Sequence, residues 1–320
     1  MYETYFALKQ RPHELQALCS FAFEEQLSME RSILVASACA VSASALTYIA
    51  CRYLSKEGSV REETSEAHDG TETFLGRYLI QHYGRPDELL PYGFGPVDSL
   101  GFPARCAREC IKHTEDTAPS IALDIGCSVG RSTFELSKRF NQVVGIDNSG
   151  AFIDVSKKLK IYGKLDYTVQ TEGSLVSQHT AEVDPDIDRS RVLFCHGDAC
   201  NLPSDLGQFG CLLASNLIER IPNPYQFLDR LPSLVAPGGT LVITSTYSWR
   251  EQFTPKNLWL GGYKDAEGKN VFGFDTLKRY LGSNFELVED KHMPFLIRET
   301  AHKNSWGLSH MTIWKRKSSS

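Results

Sequence analysis

Ile121-Ala-Leu-Asp124-Ile-Gly126-Cys127-Ser128-Val-Gly130-Arg131-Ser132 decides the fold. An apolar run from Ile121 to Ile125 has the continuous pattern of a strand covered on both faces. It runs into a turn of small residues, and a helix follows. Gly126, Ser128 and Gly130 let backbone approach a ligand closely. The new helix begins with free N–H groups that point into the crevice beyond the strand's C-terminal end. Open α/β sheets bind their ligands there. A dinucleotide site would need G-x-G-x-x-G with phosphates on the helix N-terminus. The order Gly126-x-Ser128-x-Gly130 does not fit it.

Outward from this turn, strand-like and helix-like segments alternate. Helices are predicted over 74–83, 103–113, 132–140, 151–159, 225–234 and 274–281. Strands are predicted over 121–125, 142–146, 191–195, 211–214, 240–244, 285–289 and 311–315. This alternation means βαβ units and a mostly parallel sheet. The last two strands have no helix between them and so predict an antiparallel hairpin at one edge. The class is α/β, with the folded domain over 73–316 and a polar linker over 55–72. Residues 1–54 form an N-terminal extension, read as helical. Within it, residues 33–51 carry no formal charge, and their mean hydropathy is about 1.9 at a length near a membrane span. That stretch reads as a membrane anchor, as a buried helix or as a segment that no mature protein keeps. The protein is accordingly expected in the cytoplasm, either free or anchored with its catalytic part facing the cytosol.

The chain has 320 residues and a formal net charge of −5. A general nucleic-acid binder would usually be basic, so nucleic acid is not an expected partner. The nine cysteines include no C-x-x-C pair, and several sit in apolar runs. They read as buried free thiols rather than a zinc or redox motif.

Motif by motif, the chain resembles the class I S-adenosylmethionine-dependent methyltransferases. The turn resembles their D-x-G-x-G-x-G, with Ser128 at the middle glycine. The next strand ends on Asp147, followed by Asn148. The third ends Gly197-Asp198-Ala199, and Leu234-Val-Ala-Pro-Gly-Gly239 is similar to the turn before the fifth. The cofactor that this implies carries a sulfonium, a ribose diol and an adenine but no phosphate, which suits carboxylates at successive strand ends. The resemblance places Asp124 at the methionine end, Asp147 on the ribose and Asp198 on the adenine amino group. It adds Gly126, Cys127, Ser128, Gly130, Arg131, Asn148, Ala199 and Asn216 to the cofactor set.

Five further segments narrow the resemblance: Thr71–Gly84, Ser215–Ile221, Phe253–Gly262, Pro294–Lys303 and Ser309–Trp314. Together they look like the methyltransferase domain of ovothiol synthase. That family N-methylates the imidazole of 5-thiohistidine, or its selenium analogue. The implied partner is a small thiohistidine-like molecule, with membrane contact only through 33–51. Tyr78, His82, Arg298, Glu299 and His310 are the candidate catalytic residues, and Arg298 can clamp a substrate carboxylate. His82, His302 and His310 are candidate metal ligands, although their scatter lacks metal-site spacing. Two other readings stay open: another small-molecule N- or S-methyltransferase, or a non-catalytic fold used as an interaction module.

Overall fold

The structure, a computed structural model, describes residues 71–318. The apolar stretch 33–51, the extension 1–54 and most of the linker lie outside the described residues. Two helices come first, α1 (Thr71–Tyr83) and the short α2 (Pro86–Leu89), then α3 (Phe102–His113). The Rossmann-like part follows: β1 (Ile121–Ile125), α4 (Arg131–Leu136), β2 (Gln142–Asp147), α5 (Gly150–Tyr162), β3 (Lys164–Glu172), β4 (Leu175–Glu182), β5 (Val192–His196) and β6 (Phe209–Ser215). Then come α6 (Pro224–Leu234), β7 (Val235–Ser245), the two-residue strands β8 (Tyr263–Lys264) and β9 (Asn270–Val271), α7 (Gly273–Leu281), β10 (Phe285–Arg298) and β11 (Asn304–Arg316).

Seven strands form one sheet in the order β10-β11-β7-β6-β1-β2-β5. All pairings among β5, β2, β1, β6 and β7 are parallel. β11 joins β7 antiparallel, and β10 joins β11 antiparallel. This is the class I methyltransferase sheet that the resemblance implies, closed by two antiparallel strands. The order reverses at β1, between β2 and β6, and that switch point is where such sheets open a ligand crevice.

Local sequence sets the element boundaries. Ser149 caps α5 by accepting the Phe152 N–H, and Gly163 ends it at φ +77°. Asn223 caps α6, with Pro224 at the first helical position. The core beneath α1, α3 and α5 contains Leu79, Ile80, Cys106, Cys110, Phe134 and Phe152. Among the described cysteines, Cys106, Cys110, Cys127, Cys195 and Cys211 are buried, Cys200 is half-buried, and all are free. No helix among the described residues is long and apolar enough to cross a membrane.

Three features depart from expectation. The hairpin β3–β4 stands outside the main sheet where no strands were predicted. The final hairpin is far longer than predicted: β10 pairs with β11 from Phe285–Arg316 out to Arg298–Asn304. Only its base pairs with β7, whose last residue Ser245 faces His310. Residues 293–309 therefore overhang the sheet's C-terminal edge as a ribbon. Third, α1 starts at Thr71, two residues inside the expected linker. It packs on both β3 and β10. The fit on β3 is close, because a Cβ on Gly76 would lie 1.8 Å from the Thr168 carbonyl oxygen. Arg105 of α3 donates to the Pro294 carbonyl of the ribbon, so helices, hairpin and ribbon together roof the crevice.

Candidate functional site

The turn after β1 is built from glycine geometry and one carboxylate. Gly126 and Gly130 hold φ of +75° and +85°, and Ser128 holds +51°. At Gly130 a Cβ would meet Phe194 at 2.8 Å and the Ser156 hydroxyl at 3.0 Å. Conformation and packing both demand glycine there. Gly130→Ala is expected to cost about 2–4 kcal/mol from overpacking plus positive-φ strain, read as a lowered denaturant midpoint at unchanged slope. At position 128 a serine tolerates φ +51° because Asp147 Oδ2 accepts its N–H at 2.8 Å. The other oxygen of Asp147 accepts the Ser149 N–H at 2.9 Å. One side chain at the end of β2 thus shapes the β1 turn and starts α5.

Asp124 is fully buried. Its Oδ2 accepts the hydroxyls of Ser132 and Thr133, each at 2.7 Å, while Oδ1 has no hydrogen-bond partner. Burial raises its pKa to about 6, against the pull of those two hydroxyls. Three more buried polar atoms near this turn have no partner: Ser128 Oγ, Arg131 Nε and His82 Nδ1. Arg131 lies 5.5 Å over the Tyr83 ring and pairs with Glu135 at 2.7 Å. Tyr83 donates its hydroxyl to the Val129 carbonyl at 2.8 Å, which ties the end of α1 to the turn. His82 is driven down to a pKa of about 3 by burial and by the nearby Arg131 charge. It is a neutral imidazole at physiological pH.

Buried orphan polar atoms are costly and call for a partner. One acceptor (Asp124 Oδ1), two donors (Ser128 Oγ, Arg131 Nε) and one neutral imidazole nitrogen match a zwitterionic amino-acid end. Beside it, each Asp147 oxygen accepts one backbone N–H, from Ser128 and from Ser149. On the neighbouring strand Asp198 is exposed, and its Oδ1 accepts the Cys200 N–H at 2.8 Å. Ala199 behind it is buried. Asn148 is exposed, and its carbonyl meets His196 Nε2 at 2.8 Å. Cys127 is buried and its thiol pKa is pushed up by desolvation, so it lines the turn as a neutral small side chain. This set of groups fits a diol, an amine and a carboxylate.

Other sequence candidates serve the fold. Asn216 sits at φ +50°, and its amide oxygen accepts from Thr244 at 3.0 Å and Ser309 at 2.7 Å. Its oxygen locks β6 to β7 and β11. The Tyr78 ring packs 5.0 Å from Phe74 and 4.6 Å from Phe152. Arg298 donates to the carbonyls of Glu88 and Thr300, and Glu299 accepts from Ser305 and pairs with Lys303. Those two residues brace the ribbon tip. The metal reading is corrected: His82 ends α1, His302 is exposed at the ribbon tip and His310 pairs with β7. Among the described residues no group of three or more His, Cys, Asp or Glu can hold a metal ion.

His310 instead joins a polar chain at the C-terminal end of β7. Its Nδ1 lies 3.0 Å from the Tyr247 hydroxyl, and its Nε2 lies 3.8 Å from Asp290. Phe274 packs edge-on against the ring at 4.6 Å, and His292 lies 5.5 Å away across the hairpin. Burial lowers the His310 pKa, with Asp290 opposing, while burial raises that of Tyr247. Tyr247 holds φ +52°, a costly conformation for an aromatic residue. Glu219, which the sequence reading missed, supports it. This buried carboxylate accepts from Ser245 Oγ at 2.8 Å and from the Thr246 N–H and hydroxyl at 3.0 and 2.9 Å. Ser245 Oγ in turn accepts the Tyr247 N–H at 2.9 Å. The signal was a lone acid in the apolar stretch Asn216-Leu-Ile-Glu219.

The chain is similar to several known proteins. Residues 123–243 match a methyltransferase domain family. A probable S-adenosylmethionine-dependent methyltransferase of Saccharomyces cerevisiae, CRG1, is 32% identical over 196 residues, covering 59% of this chain and 61% of that protein. The mitochondrial ubiquinone biosynthesis O-methyltransferase of Dictyostelium discoideum is 28% identical over 125 residues, covering 38% of this chain and 34% of that protein. The chain thus spans about three fifths of the first relative and about a third of the second. Among solved structures, the N-methyltransferase NodS of Bradyrhizobium japonicum in complex with S-adenosyl-L-homocysteine aligns at TM-score 0.42 and 15% identity, covering 76% of this chain and 99% of that one.

Proposed function

We propose that this chain, which carries a class I methyltransferase domain, is an S-adenosylmethionine-dependent N-methyltransferase for the imidazole of 5-thiohistidine or its selenium analogue. The observation that carries the azole assignment is the Asp290–His310–Tyr247 chain at the end of β7. By strand spacing, β7 lies about 10 Å across the sheet from β1. When bound, the cofactor supplies an electrophilic methyl group on a sulfonium. Asp124 Oδ1 would hold its amine, while Arg131 Nε and Ser128 Oγ would hold its carboxylate. Asp147 would take the ribose diol, and Asp198 the adenine amino group.

An azole nitrogen that gains a methyl must shed a ring proton. With Nε2–H directed at Asp290, His310 Nδ1 accepts a hydrogen bond from the Tyr247 hydroxyl. The phenol then takes the substrate's proton as it passes its own to His310. A lowered His310 pKa keeps that imidazole neutral and receptive near pH 7. The raised Tyr247 pKa keeps the phenol protonated, so it relays rather than holds the charge. Positioning and desolvation supply the rest of the rate.

The deciding experiment offers 5-thiohistidine, selenohistidine and plain histidine with the cofactor and follows the methylated products by mass. Methylation of either chalcogen-bearing substrate over histidine supports the assignment, and methylation of histidine alone ends it. Calorimetry with the cofactor tests the non-catalytic alternative, for which no heat would appear at high micromolar concentration.

Asp124 gives a pH prediction. Its folded pKa, about 6, lies above the ordinary carboxylate value. Ionising it in place is therefore costly, and this penalty on stability fades as pH falls through 6. Cofactor affinity runs the other way, because the amine needs the carboxylate ionised. We expect the cofactor Kd to weaken up to about tenfold per pH unit below 6. In Asp124→Asn that dependence is lost and binding is weak throughout, as calorimetry across pH 5–8 would show.

A further inference from the structure

Five large apolar side chains lie exposed where the loop before α3 meets the ribbon. Phe94 is 75% exposed, Val97 60%, Trp306 53%, Leu308 45% and Tyr92 39%. Two hydrogen bonds set the loop that carries Tyr92, Phe94 and Val97 along the ribbon that carries Trp306 and Leu308. Tyr92 and Phe94 stack at 5.4 Å, and the Tyr92 hydroxyl donates to the Ala301 carbonyl of the ribbon tip at 3.2 Å. Trp306 Nε1 donates to Ser99 Oγ at 2.7 Å, two residues beyond Val97. Trp306 and Leu308 alternate along β11 and so share one side of that strand. The two polar handles are spent on the protein, which leaves the aromatic rings to face outward.

We propose that this patch is a lipid-facing surface that seats the domain on the headgroup layer of a zwitterionic bilayer. Tyrosine and tryptophan with tied polar ends are the side chains that favour this layer. A contiguous exposed apolar surface marks an interaction site. None of its five members is charged, and the chain's net charge of −5 would be repelled by an anionic membrane. The occupant is further argued from the chain that precedes the described residues. Residues 33–51 carry no charge over nearly a span's length, and 52–70 are a polar stretch of 19 residues. α1, the first described element, packs against β10 of the same ribbon.

The test uses the full chain with phosphatidylcholine vesicles that contain brominated phosphatidylcholine, which quenches tryptophan at close range. Emission of Trp306 is taken as the difference between the wild type and Trp306→Phe, since Trp249, Trp259 and Trp314 also emit. We expect the brominated lipid to quench at least about half of the Trp306 emission. Phe94→Asp should reduce that quenching severalfold while circular dichroism stays unchanged. Equal quenching of wild type and Trp306→Phe would overturn the proposal, and so would flotation of the chain without quenching of Trp306. A lipid-free dimer that Phe94→Asp dissociates would make a second copy the occupant, and would overturn it too.

Discussion

Asp147→Ala is expected to weaken cofactor binding by at least about a hundredfold. The carboxylate does two jobs at once. It holds the Ser128 and Ser149 N–H groups at 2.8 and 2.9 Å, and in the proposed function it accepts the ribose diol. Charge-assisted hydrogen bonds of this kind are worth about 1.5–3 kcal/mol each. Without them Ser128 has no reason to keep φ +51°, and the turn that presents the orphan polar atoms relaxes. Asp147→Asn separates the two roles. An amide oxygen can still accept one N–H, so the turn should partly survive while diol recognition falls. Calorimetry gives the affinity, and a denaturant midpoint that falls by only about 1–2 kcal/mol equivalent in Asp147→Asn would show that the fold persists. Cofactor affinity unchanged in both variants would remove Asp147 from the site.

His310→Ala is expected to lower kcat by about a hundred- to thousandfold and to leave cofactor Kd within about twofold. General acid–base groups contribute about 10²–10⁴ to rate, and His310 lies on β11 beside the end of β7 rather than at the β1 turn. Tyr247→Phe removes the hydroxyl while keeping the ring against Gly273, where a Cβ would come within 2.6 Å of it. The same fall in kcat is expected from it. If the two side chains act as one relay, the double variant should be no worse than either single one, since groups acting as a unit are non-additive. Additive losses would mean separate roles. The wild-type rate should also drop as pH falls and His310 becomes protonated, and His310→Ala should flatten that limb.

Much of the fold was legible because central parallel strands write themselves plainly. Ile121–Ile125 and Gln142–Asp147 are apolar runs bounded by turns and matched expectation within one residue. The β3–β4 hairpin was harder to read. β3 does alternate, burying Tyr167 and Val169, but β4 begins with Leu175 and Val176 in solvent. A ribbon that packs on one helix instead of joining the sheet needs little apolar pattern. β10 was cut short because Glu286, Val288, Asp290 and His292 face outward, so its inner face alone carries the signal. In the site, the residues clustered at the β1 turn lie close in sequence and could be read as a motif. The pairing of Tyr247 with His310 spans 63 positions. No local spacing encodes it, and only the antiparallel return of β11 along β7 creates it.

That return strand carries adjacent residues with opposite assignments. Ser309 reaches through one side of the sheet to Asn216, and His310 reaches through the other to Tyr247. Adding or deleting a single residue between the ribbon tip and Ser309 leaves both unaltered, because the pairing with β7 fixes them. The same change inside 309–314 would exchange the two faces, burying an imidazole beside Asn216 and leaving Tyr247 facing a serine. Length variation among related chains should therefore be common in the overhanging tip and absent from those six positions.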